Sequence, residues 1–93
     1  MFEWDKKKNK VNFQKHGISF EEAVLIFTGP ILTIEDKRED YGEKREISIG
    51  QIKNVIIVMV VHTKRGNKIR IISARLANKR ERILYYEHFK EKN

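Results

Sequence analysis

The 93-residue sequence has no cysteine and only one proline. Without cysteine the chain forms no disulfide bonds, no thiolate metal sites and no covalent intermediate on a Cys nucleophile, and this composition suits a reducing compartment. Because hydrophobic residues make up 40% of the chain and proline is scarce, the sequence is expected to fold rather than to stay disordered.

Long apolar stretches are also missing. The longest run, Val55–Val61, has seven residues, whereas a helix that crosses a bilayer needs about 20. The first residues, MFEWDKKKNK, lack the apolar core of a secretory signal. We therefore expect a cytoplasmic protein without membrane contact, folded as a single domain over residues 1–93.

Acidic residues are nearly absent from one region of the chain. Residues 64–82 contain eight Lys/Arg and one acid, Glu81, so this segment alone accounts for the net charge of +7. A positive field that is confined to one region favours an anionic partner, and a nucleic-acid backbone is the first candidate. The alternative is that these side chains only solvate a hairpin and the start of a helix.

Local signals predict two helices at the start of the chain. Asp5 is a suitable N-cap for a first helix, which runs to about Lys15 with Val11 facing the core, and Gly17 is a natural stop for it. A capping box at Ser19–Glu22 begins a second helix, which ends at Phe27.

From residue 31 the pattern changes to that of strands. The predicted strands are Ile31–Ile34, Arg45–Gly50, Val55–Val61 and Lys68–Ala74, followed by a helix from Ala77 to about Phe89. Val55–Val61 is apolar throughout, as expected of a central strand that is buried on both faces. The predicted fold class is α+β, a small antiparallel sheet of about four strands with two N-terminal helices and a C-terminal helix. Phe2–Trp4 is a further candidate for an edge strand.

The dipeptide Gly66-Asn67 predicts a tight hairpin between the last two strands. A two-residue loop places Arg65 opposite Lys68, Thr63 opposite Arg70, and Val61 opposite Ile72. One face of the hairpin then carries Thr63, Arg65, Lys68 and Arg70, and the other carries His62, Lys64, Ile71, Ser73 and Arg75. The first face can bind a phosphate through a guanidinium fork, or its charges can simply protect the hairpin from aggregation.

Four titratable side chains are candidates for proton transfer. In the last helix, Glu81, Tyr85 and His88 have the spacing of one helix face, which suits proton transfer or base stacking. The plainer interpretation pairs Glu81 with a neighbouring arginine and packs Tyr85 onto the sheet. His16 lies at the end of the first helix, where the helix dipole favours a cation, so it can act as a general acid, bind phosphate or only cap the helix. The histidine and carboxylate spacings predict no metal site.

Two blocks of the sequence, KHGISFEEA from Lys15 and RIISAR from Arg70, resemble BrnT-type toxins. The similarity extends through Gly42-Glu43-x-Arg45 and through Glu81-Arg82-x-x-Tyr85. This resemblance implies the toxin of a type II toxin–antitoxin system, with a RelE-like fold and a metal-independent endoribonuclease activity that inhibits translation and growth without a cofactor. It also implies a BrnA-type antitoxin as partner, a ribbon-helix-helix dimer that binds operator DNA while it blocks the toxin.

Carried over position by position, the resemblance indicates an active surface that includes both strand and helix residues. We assign catalytic roles to Arg65, Arg70, Arg75, Glu81 and His16, and substrate-binding roles to Lys15, Lys68, Ser73, Arg82 and Tyr85. Arginine stays protonated and is a poor base, so the proton acceptor and donor are sought in Glu81 and His16, in an order that stays open. A non-catalytic module that binds nucleic acid or the antitoxin is the alternative function.

Overall fold

The computed structural model describes residues 1–53 and 55–90 and has an α+β fold. Its strands are β1 (Phe2–Glu3), β2 (Ile31–Asp36), β3 (Arg45–Ile52), β4 (Ile56–Arg65) and β5 (Lys68–Leu76). Its helices are α1 (Lys6–His16), α2 (Phe20–Ala23), which continues as a 3-10 segment over Val24–Thr28, and α3 (Lys79–Lys90). Within the residues that the structure describes, no helix is long and apolar enough to cross a membrane.

The strands form one sheet in the order β1-β5-β4-β3-β2. β1 runs parallel to β5, with Phe2 beside Ile69, and the other neighbouring strands are antiparallel. The predicted α+β class is confirmed, but the prediction of about four antiparallel strands is wrong, because β1 adds a fifth strand and makes the sheet mixed. The candidate edge strand at Phe2–Trp4 is confirmed as β1, but a strand of two residues gives no sign of a parallel partner in a distant part of the sequence.

Helix α1 has the predicted ends but not the predicted inner face. The Asp5 side chain accepts a hydrogen bond from the Lys8 amide at 3.0 Å, and Gly17 ends the helix at a φ of 73°. Val11, however, is 58% exposed, whereas Asn12 is buried. The helix lies along the edge of the sheet beside β5, where an amide side chain can meet unpaired backbone groups that an apolar side chain would leave unsatisfied.

The second helix begins with the predicted capping box and then tightens. Ser19 and Glu22 exchange hydrogen bonds with each other's backbone amides, and helical structure continues through Thr28 as a 3-10 segment. This segment presses Ile26 against β3 at Gly50, where an added Cβ would lie only 2.6 Å from the Ile26 Cβ. The glycine at this position therefore permits the close approach of helix and sheet.

Strand β4 is buried on both faces, as its continuous apolar sequence predicts. Val58 and Val60 pack with Phe20 in the core on one face. Met59 and Val61 pack with Tyr85 in the core under α3, on the other face. The sheet is therefore covered by α2 on one side and by α3 on the other.

The hairpin between β4 and β5 has the predicted turn but a different register further along. Arg65 lies opposite Lys68 and Thr63 opposite Arg70, as expected for a two-residue loop. A β-bulge then shifts the register, so that Val61 pairs with Ser73 instead of Ile72. The prediction for this pair is wrong because the sequence carries no local signal for an inserted residue.

The bulge changes which arginines share a face. Arg75 pairs with Met59 and Arg70 pairs with Thr63, and these two β4 residues lie on the same face. Arg70 and Arg75 therefore both lie on the α3 face of the sheet, whereas the unshifted register placed them on opposite faces. Bulges are often found next to functional sites because they redirect a side chain in this way.

His62 is a packed core residue, as expected from its apolar surroundings. Its Nε2 lies 2.7 Å from the Ser48 Oγ, and its ring makes an edge contact with Phe27. Burial lowers the pKa of His62, and the charge of Glu46 only partly opposes this effect. The imidazole is therefore neutral at neutral pH.

Candidate nucleic-acid site

A pocket of about 330 Å³ lies between α1 and β5, and we call it the α1–β5 pocket. Its lining consists of Lys7, Lys8, Val11, Asn12, Lys15, His16, Ile72 and Ser73. This lining contains three lysines, one histidine and one serine, but no carboxylate. Its volume is in the range of sites that bind small ligands.

The positive charge of this pocket comes from three lysines, of which Lys8 also interacts with the charge of Asp5. Within the part of the chain that the structure describes, Lys7, Lys8 and Lys15 form no ion pair. Most of the arginines that the sequence singles out are instead paired: Arg65 with Glu43 at 3.6 Å, Arg70 with Glu3 at 3.1 Å and Arg75 with Glu81 at 2.8 Å. The unpaired charge that faces the pocket thus comes from α1 and not from the hairpin.

The side chain of Asn12 joins α1 to β5. Its Oδ1 accepts a hydrogen bond from the Ala74 amide at 3.1 Å, and its Nδ2 donates to the Ala74 carbonyl at 2.7 Å and to the Ile18 carbonyl at 3.0 Å. The carboxamide thus satisfies the outer edge of β5 as a neighbouring strand would. These bonds place Lys15 and His16 on the same pocket wall, opposite Ser73.

The guanidinium of Arg75 is held rigidly by Glu81. Its two terminal nitrogens donate to the two carboxylate oxygens at 2.8 and 2.9 Å. Glu81 also caps α3, because its carboxylate accepts from the Asn78 amide at 2.9 Å while its own amide donates to the Asn78 side chain at 2.8 Å. This geometry matches the plainer interpretation of Glu81, as the partner of a neighbouring arginine.

The surroundings of Glu81 also determine its charge. Burial opposes ionisation, but the hydrogen bonds from Arg75 and from the Asn78 amide outweigh burial and lower the pKa of Glu81. Glu81 is therefore ionised at neutral pH and has no proton to donate. Both of its oxygens already accept hydrogen bonds, which weakens it as a base.

Arg70 and Arg75 lie on either side of the β5 wall of the pocket. Ile72 and Ser73, which line the pocket, are placed between them along the strand. Arg70 keeps its ion pair with Glu3 of β1 and also contributes to the lowered pKa of Asp5, at the start of α1. Both arginines thus belong to the strand that forms one wall of the pocket, although neither of them lines it.

Several predicted site residues lie elsewhere. Lys68 and Arg65 are at the hairpin tip, and Lys68 is roughly 20 Å from Arg75 along the strand at the usual rise per residue. Arg82 donates to the Ala77 carbonyl at 3.0 Å. Tyr85 is 5% exposed and its hydroxyl donates to the Pro30 carbonyl at 2.9 Å, which favours the packing interpretation.

The loop between β2 and β3 adds further cations to the α3 face. Asp36 is buried and accepts two hydrogen bonds of 2.8 Å from the Arg38 guanidinium, which lowers the pKa of Asp36 to about 2. Arg45 lies 4.0 Å above the ring of Tyr41 and pairs across the sheet with Thr63, the partner of Arg70. Arg45 therefore lies on the α3 face of the sheet together with Arg70.

Sequence reasoning missed Lys7, Lys8 and Asn12 as pocket residues. A signal was present, because Lys8, Asn12 and Lys15 recur at the i, i+4 and i+7 spacing of one helix face. The net-charge count did not reveal them, since acids elsewhere in the chain balance these lysines in number but not in position.

The comparisons with known proteins concern the family and the fold. Residues 4–81 match the family model described as the ribonuclease toxin BrnT of type II toxin–antitoxin systems. The crystal structure of the Brucella abortus ribonuclease toxin BrnT superposes with a TM-score of 0.69 and 27% sequence identity, over 85% of this chain and 99% of that one. No curated protein matches the sequence. Because the family model covers most of the sequence, the chain belongs to the BrnT family of ribonuclease toxins of type II toxin–antitoxin systems.

Proposed function

We propose that this toxin is a metal-independent endoribonuclease whose active site is formed by the α1–β5 pocket together with Arg70 and Arg75. The observation that carries the proposal is the set of α1 lysines that line the α1–β5 pocket, together with the Arg75 guanidinium on the same strand β5, which Glu81 holds in one orientation. The lysine cations favour a polyanion, and a guanidinium that is held in one orientation stabilises phosphate charge without having to reorganise.

The proposed reaction uses the RNA itself as nucleophile. The ribose 2′-oxygen attacks the adjacent phosphorus in line, the bond from phosphorus to the 5′-oxygen breaks, and the products are a 2′,3′-cyclic phosphate and a 5′-hydroxyl. A base takes the proton of the 2′-hydroxyl, and an acid supplies a proton to the leaving 5′-oxygen. Arg75 and Arg70 stabilise the negative charge that develops on the phosphorane.

His16 is the group in this pocket that we propose for proton transfer. An imidazole can accept and donate a proton near neutral pH, whereas the lysines of the lining serve as charges and Glu81 is bound to Arg75. Lys15 neutralises a phosphate oxygen and the Ser73 hydroxyl donates a hydrogen bond to another. Glu81 acts through Arg75, as a positioning residue.

The proposal extends to the biological setting. We propose that the chain, as one domain over residues 1–93, acts in the cytoplasm like a RelE-type toxin, cutting RNA and so inhibiting translation and growth. A BrnA-type antitoxin neutralises it by covering the α1–β5 pocket together with Arg70 and Arg75. The antitoxin binds operator DNA through its ribbon-helix-helix dimer.

A non-catalytic RNA-binding module is the second candidate, and the ion pairs favour it. Arg65, Arg70 and Arg75 each already contact a carboxylate, so the α1 lysines alone are ready to meet a phosphate. Such a module needs no proton transfer, and it would bind RNA without shortening it.

The two candidates are separated by incubating the purified chain, freed of its antitoxin, with RNA in the presence of EDTA. We expect cleavage with 2′,3′-cyclic phosphate and 5′-hydroxyl ends, and we expect His16→Asn to lose most of it. Loss of cleavage in EDTA, or products with 3′-hydroxyl ends, contradicts the proposed mechanism. Binding without any cleavage supports the second candidate.

A further inference from the structure

We propose that Lys7 and Lys8 form a second phosphate subsite, which binds the RNA phosphate next to the scissile one. This inference rests on the proposed function. It goes beyond it by stating that efficient cleavage needs RNA longer than the dinucleotide that contains the scissile bond.

The length of α1 leaves room for more than one phosphate along the pocket. Lys8 and Lys15 are seven residues apart, which is two helical turns and about 10 Å along the helix axis. A strand that places one phosphate near Lys15 and His16 therefore has its next phosphate available for Lys7 and Lys8.

The floor between the two ends suits the rest of a nucleotide. Val11 and Ile72 line the pocket between its two groups of cations, and Val11 is 58% exposed. Val11 therefore presents apolar surface to the pocket, on a helix whose buried residue is the polar Asn12. Cation, apolar surface and cation thus follow the order of phosphate, nucleoside and phosphate along RNA.

Helix stability does not explain these lysines. The first turn of α1 contains Lys6, Lys7 and Lys8 and no acid, although the N-terminus of a helix carries a partial positive charge that disfavours cations. The nearest acid, Asp5, uses its carboxylate to accept a hydrogen bond from the Lys8 backbone amide, and this bond lowers the pKa of Asp5. The charge of Asp5 also interacts with Lys8, but three cations in this turn outnumber one acid, and residues that violate a local stability rule in this way are expected at functional sites.

The test compares two substrates and two variants. The substrates are a dinucleotide with one phosphodiester and a 12-nucleotide RNA, and a 2′-deoxy 12-mer serves as an uncleavable probe for binding. The test variant is Lys7→Gln/Lys8→Gln. The control is Lys10→Gln, which removes a charge from the same helix outside the pocket.

We expect the double variant to bind the 12-mer at least tenfold more weakly and to lose at least tenfold more kcat/KM on the 12-mer than on the dinucleotide, which has no second phosphate. The slope of log Kd against log salt should decrease by about 0.7 for each lost phosphate contact. The melting temperature should stay equal or rise, because cations leave the positive end of α1.

The outcomes separate the subsite from the nuclease. If the wild type cleaves RNA but the double variant differs no more than Lys10→Gln, the subsite is wrong and the nuclease stands. If the wild type cleaves neither substrate, the proposed function fails, while binding of the uncleavable probe still decides on the subsite. Equal losses on the dinucleotide and the 12-mer overturn the subsite, because they assign the lysines to the scissile phosphate.

Discussion

Arg75 owes its place to one bulged residue and its orientation to one carboxylate. The bulge moves it to the α3 face, and Glu81 then holds both terminal nitrogens. An ammonium group at the same position would keep the charge but not the planar pair of donors. Replacing Arg75 by lysine therefore separates the effect of its positive charge from the effect of its planar geometry.

For Arg75→Lys we expect cleavage to fall about 100- to 1000-fold, as for loss of one stabilising donor, while RNA affinity changes only a few-fold. The measurement is single-turnover cleavage together with the Kd for an uncleavable RNA. Arg80→Lys is the control, since Arg80 is exposed on α3. Equal losses of affinity and cleavage would show that Arg75 contributes charge alone.

His62 makes the stability of the protein depend on pH. Its pKa in the folded state lies below the ordinary value of 6.5, because burial disfavours the cation. As the pH falls below 6.5 the unfolded chain binds the proton first, so the free energy of unfolding decreases, by at most about 1.4 kcal/mol per pH unit. Above that pH this contribution to stability is fully present.

His62→Gln should remove this decrease and keep a hydrogen bond to Ser48. Urea unfolding at several values from pH 7.5 to pH 5 measures the effect, with His88→Gln as control because His88 is exposed. An unchanged pH dependence in His62→Gln would assign the effect to other groups.

At the scale of elements, the site depends on how α1 and the 3-10 segment are attached to the sheet. α1 contributes a polar residue, Asn12, to the edge of β5, and the 3-10 segment contributes Ile26 to the face of β3. Hydrogen bonds to the Ala74 backbone attach α1 to the sheet, and close packing of Ile26 against Gly50 attaches the 3-10 segment.

Asn12→Ala should lower the free energy of unfolding by about 2 to 3 kcal/mol, because it leaves the buried amide and carbonyl of Ala74 without partners. Cleavage should fall as well, since α1 carries Lys15 and His16. Gln14→Ala, at an exposed position of α1, is the control. Denaturant unfolding and cleavage rates are the measurements, and a variant that matches this control would refute the role of Asn12.

Gly50→Ala should lower the free energy of unfolding by about 1 to 3 kcal/mol, because the new Cβ would lie 2.6 Å from the Ile26 Cβ and force helix and sheet apart. Gly29→Ala is the control, because an added Cβ there meets nothing within 4 Å. Thermal and urea unfolding of both variants measure the difference. Equal stabilities would mean that the 3-10 segment moves aside without cost.

At the scale of the whole molecule, the start of the chain is part of the sheet. The Ile69 amide donates to the Met1 carbonyl at 2.8 Å, Glu3 pairs with Arg70, and Trp4 makes an edge contact with Phe20. β1 therefore connects the two ends of the sequence and holds one of the site arginines.

Removal of residues 1–4 should lower the free energy of unfolding by about 3 kcal/mol or more, mainly through the lost burial of Trp4 and Phe2. Asp5 remains as the cap of α1. Urea unfolding of the truncated and complete chains provides the measurement. An unchanged stability would show that β1 does not belong to the cooperative unit.

Sequence reasoning succeeded where the deciding residues are neighbours along the chain. The capping box at Ser19–Glu22, the stop at Gly17 and the turn at Gly66-Asn67 are all present as predicted. It failed for Val11, whose predicted burial assumed that α1 covers a face of the sheet rather than its edge.

The amino-acid sequence alone specifies the helix caps, the tight turn and the central strand that is buried on both faces. Each of these features depends on residues within a few positions of one another. Its BrnT motifs also indicate the family. Only the folded molecule decides that β1 joins β5, that a bulge turns Arg75 toward Arg70, and that α1 carries the unpaired charge. These features depend on which groups from distant parts of the chain come within hydrogen-bonding distance. The order of charges along the sequence does not reveal which of them meet in space.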